Sequence, residues 1–271
     1  MKFRILSDIH SDYYQGIYFE KTDTHQPTVD KLIEKLNTMY PVIEDDEVLI
    51  LSGDLGIVMT PQKQISETYV SILKYLRRKW KSIIMIPGNH EYYYAKNINI
   101  VDTILRKLCE ELDIYFLQKD IFEFKGYTFV GCVLWSDLSY NDWIKFNPKM
   151  RMLFRNYNAY KQEYRDNLSW LTTTLKNLRA RDNVVVMTHY PPIPDLIHPK
   201  MLIDPKVRVT ALTNDLSNVI LKNELCPRYW ICGHSHEKMQ VEKFGIQFYL
   251  NPLGRHFEER DSPVSTELII L

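Results

Sequence analysis

No stretch of this chain approaches the roughly 20 consecutive apolar residues that a membrane-spanning helix needs, which argues against a helical membrane protein. The first segment, MKFRILSDIHSD, also lacks the apolar core and small-residue cleavage site of a secretory leader, so a cytoplasmic setting is expected. Cysteine is scarce. Cys109, Cys132, Cys226 and Cys232 show no CxxC spacing, which speaks against a disulfide scaffold and fits a reducing compartment. An excess of either charge is missing too: Lys plus Arg number 34 and Asp plus Glu number 34. No global field therefore draws the chain to nucleic acid or anionic lipid, although a local basic patch is compatible with that balance. Internal repeats, low-complexity tracts and linkers are absent, and a single domain over residues 1–271 is expected.

What is present describes an ordinary soluble globular chain with enough length for a sizeable core: 45% apolar and 25% charged residues. Short apolar runs that read as strands cover Lys2 to Ser7, Glu47 to Leu51, Ser82 to Ile86, Asn183 to Met187 and Tyr229 to Cys232. Further strands are expected at Ile114–Leu117, Ile121–Phe124, Tyr127–Leu134, Ile246–Leu250 and Thr266–Leu271. Helical spacing appears in Val29, Leu32, Ile33, Leu36 and Met39 after Pro27-Thr28. It recurs from Ile65 to Trp80, Val101 to Leu112, Tyr164 to Leu178, and around Leu212–Leu221. Residues 11–26 and 251–265 read as loops, and 136–160 as an irregular insertion of the kind that serves as a functional loop or lid. The alternation of strands and helices argues α/β, and the clustered strands near 114–134 and after 228 argue more than one sheet.

Five polar segments follow predicted strands: Asp8-Xaa-His10, Gly53-Asp54, Gly88-Asn89-His90-Glu91, His189, and Gly233-His234-Ser235-His236. Taken singly, each has a plain structural explanation. Asp-Xaa-His fits a turn or a helix cap, Gly-Asp is ordinary turn chemistry, and a histidine after a strand is often a hydrogen-bonded core residue. Together they hold five of the eight histidines, all at strand ends, where α/β folds bind ligands. Two carboxylates, one amide oxygen and four imidazoles make a mixed N/O donor set suited to divalent first-row metals. That set is too large for one tetrahedral ion. It suits two ions roughly 3.5–4 Å apart with a bridging carboxylate.

In these motifs the chain resembles the calcineurin-like metallophosphoesterases, whose pattern is D-x-H, G-D, G-N-H-D/E, H and G-H-x-H. All five elements occur in order between residues 8 and 236. The resemblance implies a four-layer α/β/β/α sandwich of two mixed β-sheets flanked by helices. It implies one metal held by Asp8, His10, Asp54 and His236, and a second held by Asp54, Asn89, His189 and His234. His90 would contact the substrate phosphate and assist the leaving oxygen, and Glu91 would orient a neighbour. The implied reaction is attack of a metal-bridging hydroxide on phosphorus, with the metals (Mn, Fe, Zn, Co or Ni) neutralising the phosphate oxygens. Trp135-Ser136-Asp137 and Asn251-Pro252-Leu253-Gly254 further resemble a bacterial subgroup of the same family.

The expected substrate is a small phosphoester, as a phosphodiester or a phosphomonoester. Nucleic acid stays open but is disfavoured by the balanced charge, and a metal-binding scaffold without activity would normally have lost a ligand. Around the motifs, Tyr92, Tyr93 and Tyr94 could stack on a base or aryl group or simply pack a loop onto the sheet. Arg151 and Arg155 could clamp a second phosphate, with a solvated basic face as the blander alternative. Arg255 and His256 could border the metal edge.

Overall fold

Runs such as Val48-Leu49-Ile50-Leu51 carry no polar alternation because both faces of each strand are covered. The computed structural model describes residues 2–14, 28–145, 148–178, 183–204, 208–223, 225, 227–255, 265–266 and 269–270. The first strands are β1 (Lys2–Leu6), β2 (Glu47–Ser52), β3 (Ser82–Ile86) and β4 (Tyr115–Phe116). They are followed by β5 (Asp120–Phe124), β6 (Tyr127–Cys132), β7 (Val184–Thr188) and β8 (Tyr229–Cys232). Last come β9 (Met239–Lys243), β10 (Ile246–Leu250) and β11 (Ile269–Ile270).

Two mixed sheets result. One has the order β11-β1-β2-β3-β4, parallel except for β11; the other has the order β5-β6-β7-β8-β10-β9, parallel except for its two edges. Side-chain alternation then sorts every central strand between two cores. Val48, Ile50, Ile84, Ile86, Val185, Met187 and Ile231 fill the space between the sheets. Leu49, Leu51, Ile83 and Met85 face the helices α1 (Val29–Met39), α2 (Glu67–Lys79) and α3 (Ile98–Glu111). Val184, Val186, Trp230 and Cys232 face the opposite way. This is the expected α/β/β/α layering. On β6 the sheets come close: a Cβ on Gly131 would lie 2.5 Å from Leu117 Cβ and 2.8 Å from Ile86 Cγ2.

Several sequence expectations are corrected. Residues 136–160 are largely helical, carrying α4 (Tyr140–Trp143), α5 (Pro148–Phe154) and the start of α6 (Tyr157–Leu178). Aromatic packing rather than a regular apolar stripe holds them, with Trp143, Phe154 and Trp135 gathered around Tyr160. β6 ends at Cys132, not Leu134, because Val133 N–H is taken by Gln118 Oε1 at 2.9 Å and Leu134 N–H by Asn167 Oδ1 at 3.2 Å. α7 (Pro199–Ile203) was not foreseen, and α8 spans only Ser217–Lys222. Before α8, Asn214 and Leu216 donate to Pro191 O and Pro192 O instead of forming a helical turn. β9 was also missed; its half-exposed MQVEK pattern is an edge strand hairpinned to β10 through Phe244 and Gly245. Cys226, His256 and most of 11–26 lie outside the described residues, as do 256–264 of the 251–265 loop. Among the described residues, no helix is long and apolar enough to cross a membrane.

Candidate metal centre

The carboxyl ends of β1, β2, β3, β7 and β8 deliver the five motifs to one edge. The turns there are unusual: Asp8 (φ 51°), His10 (50°), Asp54 (56°), His234 (67°) and His236 (58°) all occupy left-handed backbone. For residues with a Cβ this conformation is uncommon, and such strain clusters where side-chain placement matters more than backbone comfort. Hydrogen bonds hold it. Asp8 N–H donates to Gly53 O at 3.0 Å, His10 N–H to Asp54 O at 3.0 Å, and Gly233 N–H to His189 O at 3.0 Å. Two glycines are required by close approach. A Cβ on Gly53 (φ +89°) would lie 2.5 Å from His189 Nδ1, and one on Gly233 would lie 2.7 Å from Asp8 Oδ2.

The donors fall into two groups with a carboxylate between them. Asp8, His10 and His236 form one, and Asp54, His189 and His234 the other, with ligand atoms in each within 4.8 Å of one another. His10 Nε2 and His236 Nε2 are 2.9 Å apart, and His236 Nε2 is 3.3 Å from Asp8 Oδ1. In the second group, His189 Nε2 lies 3.2 Å from His234 Nδ1 and 3.1 Å from Asn89 Oδ1. Asp54 Oδ2 is 3.4 Å from His189 Nε2 and 3.9 Å from His10 Nε2, so it faces both groups.

These residues fit a divalent metal on the chemistry of their donors. Ser52 O and Ala211 O can only accept, so His189 carries a proton on Nδ1 (2.9 Å) and His234 one on Nε2 (3.0 Å). Once His189 gives up its second proton, His189 Nε2 and His234 Nδ1 would point lone pairs at each other, an arrangement a shared cation relieves. Burial, with the neighbouring imidazoles His90 and His236, holds His10 well below the usual histidine range. Burial and the charge of His189 hold His234 down to about 3. Both are thus in the neutral, ligating form. Burial alone would lower His189, but the Asp54 carboxylate outweighs it and raises the imidazole to about 9. Metal binding would release that proton.

His90 belongs to neither of these groups but forms a third cluster with His10 and Asp12, whose candidate ligand atoms also lie within 4.8 Å of one another. Its Nδ1 donates to Asp12 Oδ2 at 3.0 Å and its Nε2 faces Asp54 Oδ2 at 4.0 Å. Asp12 was missed in the sequence; its signal was the extended spacing Asp8-Xaa-His10-Xaa-Asp12. Glu91 is fully buried and accepts from the N–H groups of Gly88 (2.7 Å), Asp54 (3.0 Å) and Leu55 (2.8 Å), tying the loops after β2 and β3 together.

The outer candidates divide. Tyr92 is a core residue whose hydroxyl donates to Asp102 Oδ1 at 2.7 Å, whereas Tyr93 packs against His90 and its hydroxyl accepts from Asn89 Nδ2 at 2.9 Å. Arg151 is exposed and donates to Ile144 O at 3.4 Å, and Arg155 borders a surface hollow with Tyr140 and Trp143. Lys149, two residues before Arg151, reaches the site instead, and Arg255 lies over Tyr13 beside His10. Trp135 is buried against Tyr92, Phe154 and Tyr190, and Asn251 Nδ2 donates to Ile5 O at 2.7 Å, so both subgroup motifs serve the scaffold here.

Comparison with known proteins bears on the same span. The family described as calcineurin-like phosphoesterase matches residues 1–238. An uncharacterized protein of Acanthamoeba polyphaga mimivirus is 24% identical over 284 aligned positions, covering 95% of this chain and 92% of its own. Among solved structures, phosphopantetheinyl hydrolase from Mycobacterium tuberculosis gives a TM-score of 0.66 at 15% identity, covering 93% of this chain and 89% of that one. A dimetal phosphatase from Danio rerio gives 0.51 at 14% identity, covering 93% and 87%. At these identities the structural likeness is one of fold.

Proposed function

This chain belongs to the calcineurin-like phosphoesterase family of metal-dependent hydrolases, and on that premise we propose that it cleaves a small phosphoester at a two-metal centre. Asp8, His10, Asp54 and His236 would hold one ion, and Asp54, Asn89, His189 and His234 the other. The observation that supports this most is the position of Asp54 Oδ2, facing the imidazoles of both donor groups. When bound, two divalent ions supply positive charge that offsets the phosphate oxygens and lowers the pKa of coordinated water.

The chain itself does the positioning. Asp54 is held as a carboxylate: burial pushes its pKa up, but His189 and His90 outweigh that and keep it well below the usual range. Its Oδ1 is fixed by the His90 N–H at 2.8 Å, which aims Oδ2 into the site. Asp12 keeps a proton on His90 Nδ1, so Nε2 is the atom that exchanges a proton with the leaving oxygen. Residues 1–271 then act as one domain in the reducing cytoplasm, a setting favoured by the free thiols of Cys109, Cys132 and Cys232.

Elemental analysis together with turnover of p-nitrophenyl phosphate and bis-(p-nitrophenyl) phosphate tests the proposal. Purified protein should carry two transition-metal equivalents, lose activity on chelation and regain it with added metal. The faster substrate identifies monoester or diester preference. Protein carrying two metals that cleaves neither ester would overturn the proposal.

A further inference from the structure

An imidazole that ligates a metal normally gives the N–H on the far side of its ring to an acceptor, which fixes its tautomer and orientation. His189 Nδ1 has Ser52 O for this and His234 Nε2 has Ala211 O. His10 differs. Its Nε2 faces the first donor group, 2.9 Å from His236 Nε2 and 3.9 Å from Asp8 Oδ1, while its buried Nδ1 has no hydrogen-bond partner among the described residues. Facing that nitrogen at 3.9 Å is Asp12 Oδ1, which is buried and equally without a partner among them. The other oxygen of the same carboxylate accepts from His90 Nδ1 at 3.0 Å, and the His10 and His90 rings cross 4.3 Å apart at 72°. One carboxylate thus faces two imidazoles.

The backbone holds Asp12 there. It lies in the short turn Ser11–Tyr14, where Ser11 N–H donates to Leu55 O at 2.8 Å and Tyr13 N–H to His10 O at 3.0 Å. A Cβ on Gly56 would come within 3.2 Å of Asp12 N, so the loop after β2 closes on this turn. Once Nε2 of His10 is given to an ion, its Nδ1 carries the only N–H of the ring and becomes the complement of Asp12 Oδ1. An approach of about 1 Å then makes an ordinary hydrogen bond and satisfies both buried atoms. An ion in the cluster of His10, Asp12 and His90 is the poorer reading. On His10 Nδ1 it would strip the ring of its last proton, and on His90 Nδ1 it would displace the proton that Asp12 holds.

We propose that Asp12 is a positioning residue shared by the first metal site and His90, its Oδ1 accepting from His10 Nδ1 when that site is loaded and its Oδ2 accepting from His90 Nδ1. The proposal rests on the two-ion reading for which nitrogen of His10 takes the metal. Loading then fixes the carboxylate at both oxygens, so His90 is set in place by the ion it does not touch. By reciprocity, Asp12 strengthens the hold of His10 on that ion.

Zinc affinities measured by competition with a chromophoric chelator test this in the full-length chain. Asp12→Asn and Asp12→Ala should each still take up two equivalents at saturation, with one ion bound about tenfold to a hundredfold more weakly and the other unchanged. His90→Ala removes a partner of Oδ2 only and should bind both ions as tightly as the native protein. In the NMR spectrum of protein labelled with ¹⁵N at its histidine rings, zinc should add a second low-field Nδ1 proton to that of His90. His90→Ala should lose the original proton and keep the added one, whereas Asp12→Ala should show neither. Asp12 variants that bind both ions at native strength, variants that weaken both alike, zinc loading that adds no such proton, or a third zinc bound by the native protein and lost in Asp12→Asn would each overturn the bridge. Should these metal and proton signatures hold while no phosphoester is cleaved, the bridge stands and the proposed activity fails.

Discussion

The two sheets bring unlike chemistry to the shared edge. Loops of the first sheet carry every carboxylate and the amide of the site: Asp8, Asp12, Asp54, Asn89 and Glu91, alongside His10 and His90. Loops of the second supply imidazoles only, from His189, His234 and His236. Each donor group nevertheless draws on both, since His236 joins Asp8 and His10 while His189 and His234 join Asp54. The second sheet alone would supply nitrogen only, and the first would supply a single imidazole, His10, to the two donor groups. The edge is accordingly stitched across the interface: Ser52 Oγ donates to Cys232 O at 3.2 Å, His189 Nδ1 to Ser52 O, and His234 N–H to the Asp8 carboxylate at 3.1 Å. Metal binding and sheet docking are therefore linked, and bound metal should stabilise the whole sandwich.

The most damaging way to break the comparison is at the carboxylate facing both groups. Asp54→Asn should lose both metals and roughly a thousandfold or more of activity, the rate equivalent of several kcal/mol of charge stabilisation. His236→Ala and His234→Ala should instead each remove a different ion. Elemental analysis showing the same ion lost from both would end the division into two groups.

A smaller effect sharpens the role of the first sheet. His90→Ala should retain its metals and slow turnover by about 10²–10⁴, the range for a positioned proton donor. Asp12→Asn, which disturbs the orientation of His90 and weakens the charge facing His10, should cost about tenfold to a hundredfold. Metal loss from the His90 variant would move that residue into the donor set.

The smallest effect concerns pH. Burial raises Asp102 to about 6, with the Tyr92 hydroxyl bond and Arg106 pulling the other way. The folded state thus binds the proton more tightly than the unfolded chain, so Asp102 favours folding below about pH 4 and this contribution is lost as pH rises through 6. Urea titrations should show Asp102→Asn gaining on the native protein by up to about 2 kcal/mol between pH 4 and 7. An unchanged difference between the two proteins across that range would contradict the assignment.

The donor set was legible because its members immediately follow runs whose unbroken apolarity marks doubly covered strands. The same runs, with the helical stripes between them, indicated α/β and more than one sheet, whereas the four-layer order came from the family resemblance. Asp12 was hidden because a carboxylate in a turn looks like a cap, and only the fold turns it toward His90, far along the chain. Lys149 was hidden for a similar reason: the helices over 140–154 are held by aromatic faces, which leave no 3.6-residue stripe to reveal them. The left-handed turns at Asp8, His10, Asp54, His234 and His236 are only weakly marked in the sequence: Asp and His adopt that backbone more often than most residues with a Cβ, yet still rarely enough that residue type does not locate the turns.

The buried cysteines carry a last consequence. Cys109 in α3, Cys132 on β6 and Cys232 on β8 are fully enclosed, with burial pushing the first two thiols up to about 12 and the third well above the usual thiol range. While the protein is folded, almost no thiolate exists at any of them and no reagent reaches the sulfur. Alkylation must wait for the surrounding structure to open, so its rate becomes a clock for that opening. Cys109 times the helical layer outside the first sheet, and Cys132 and Cys232 time the second sheet. The chain thus carries native reporters that tell whether its two halves come apart together or in turn.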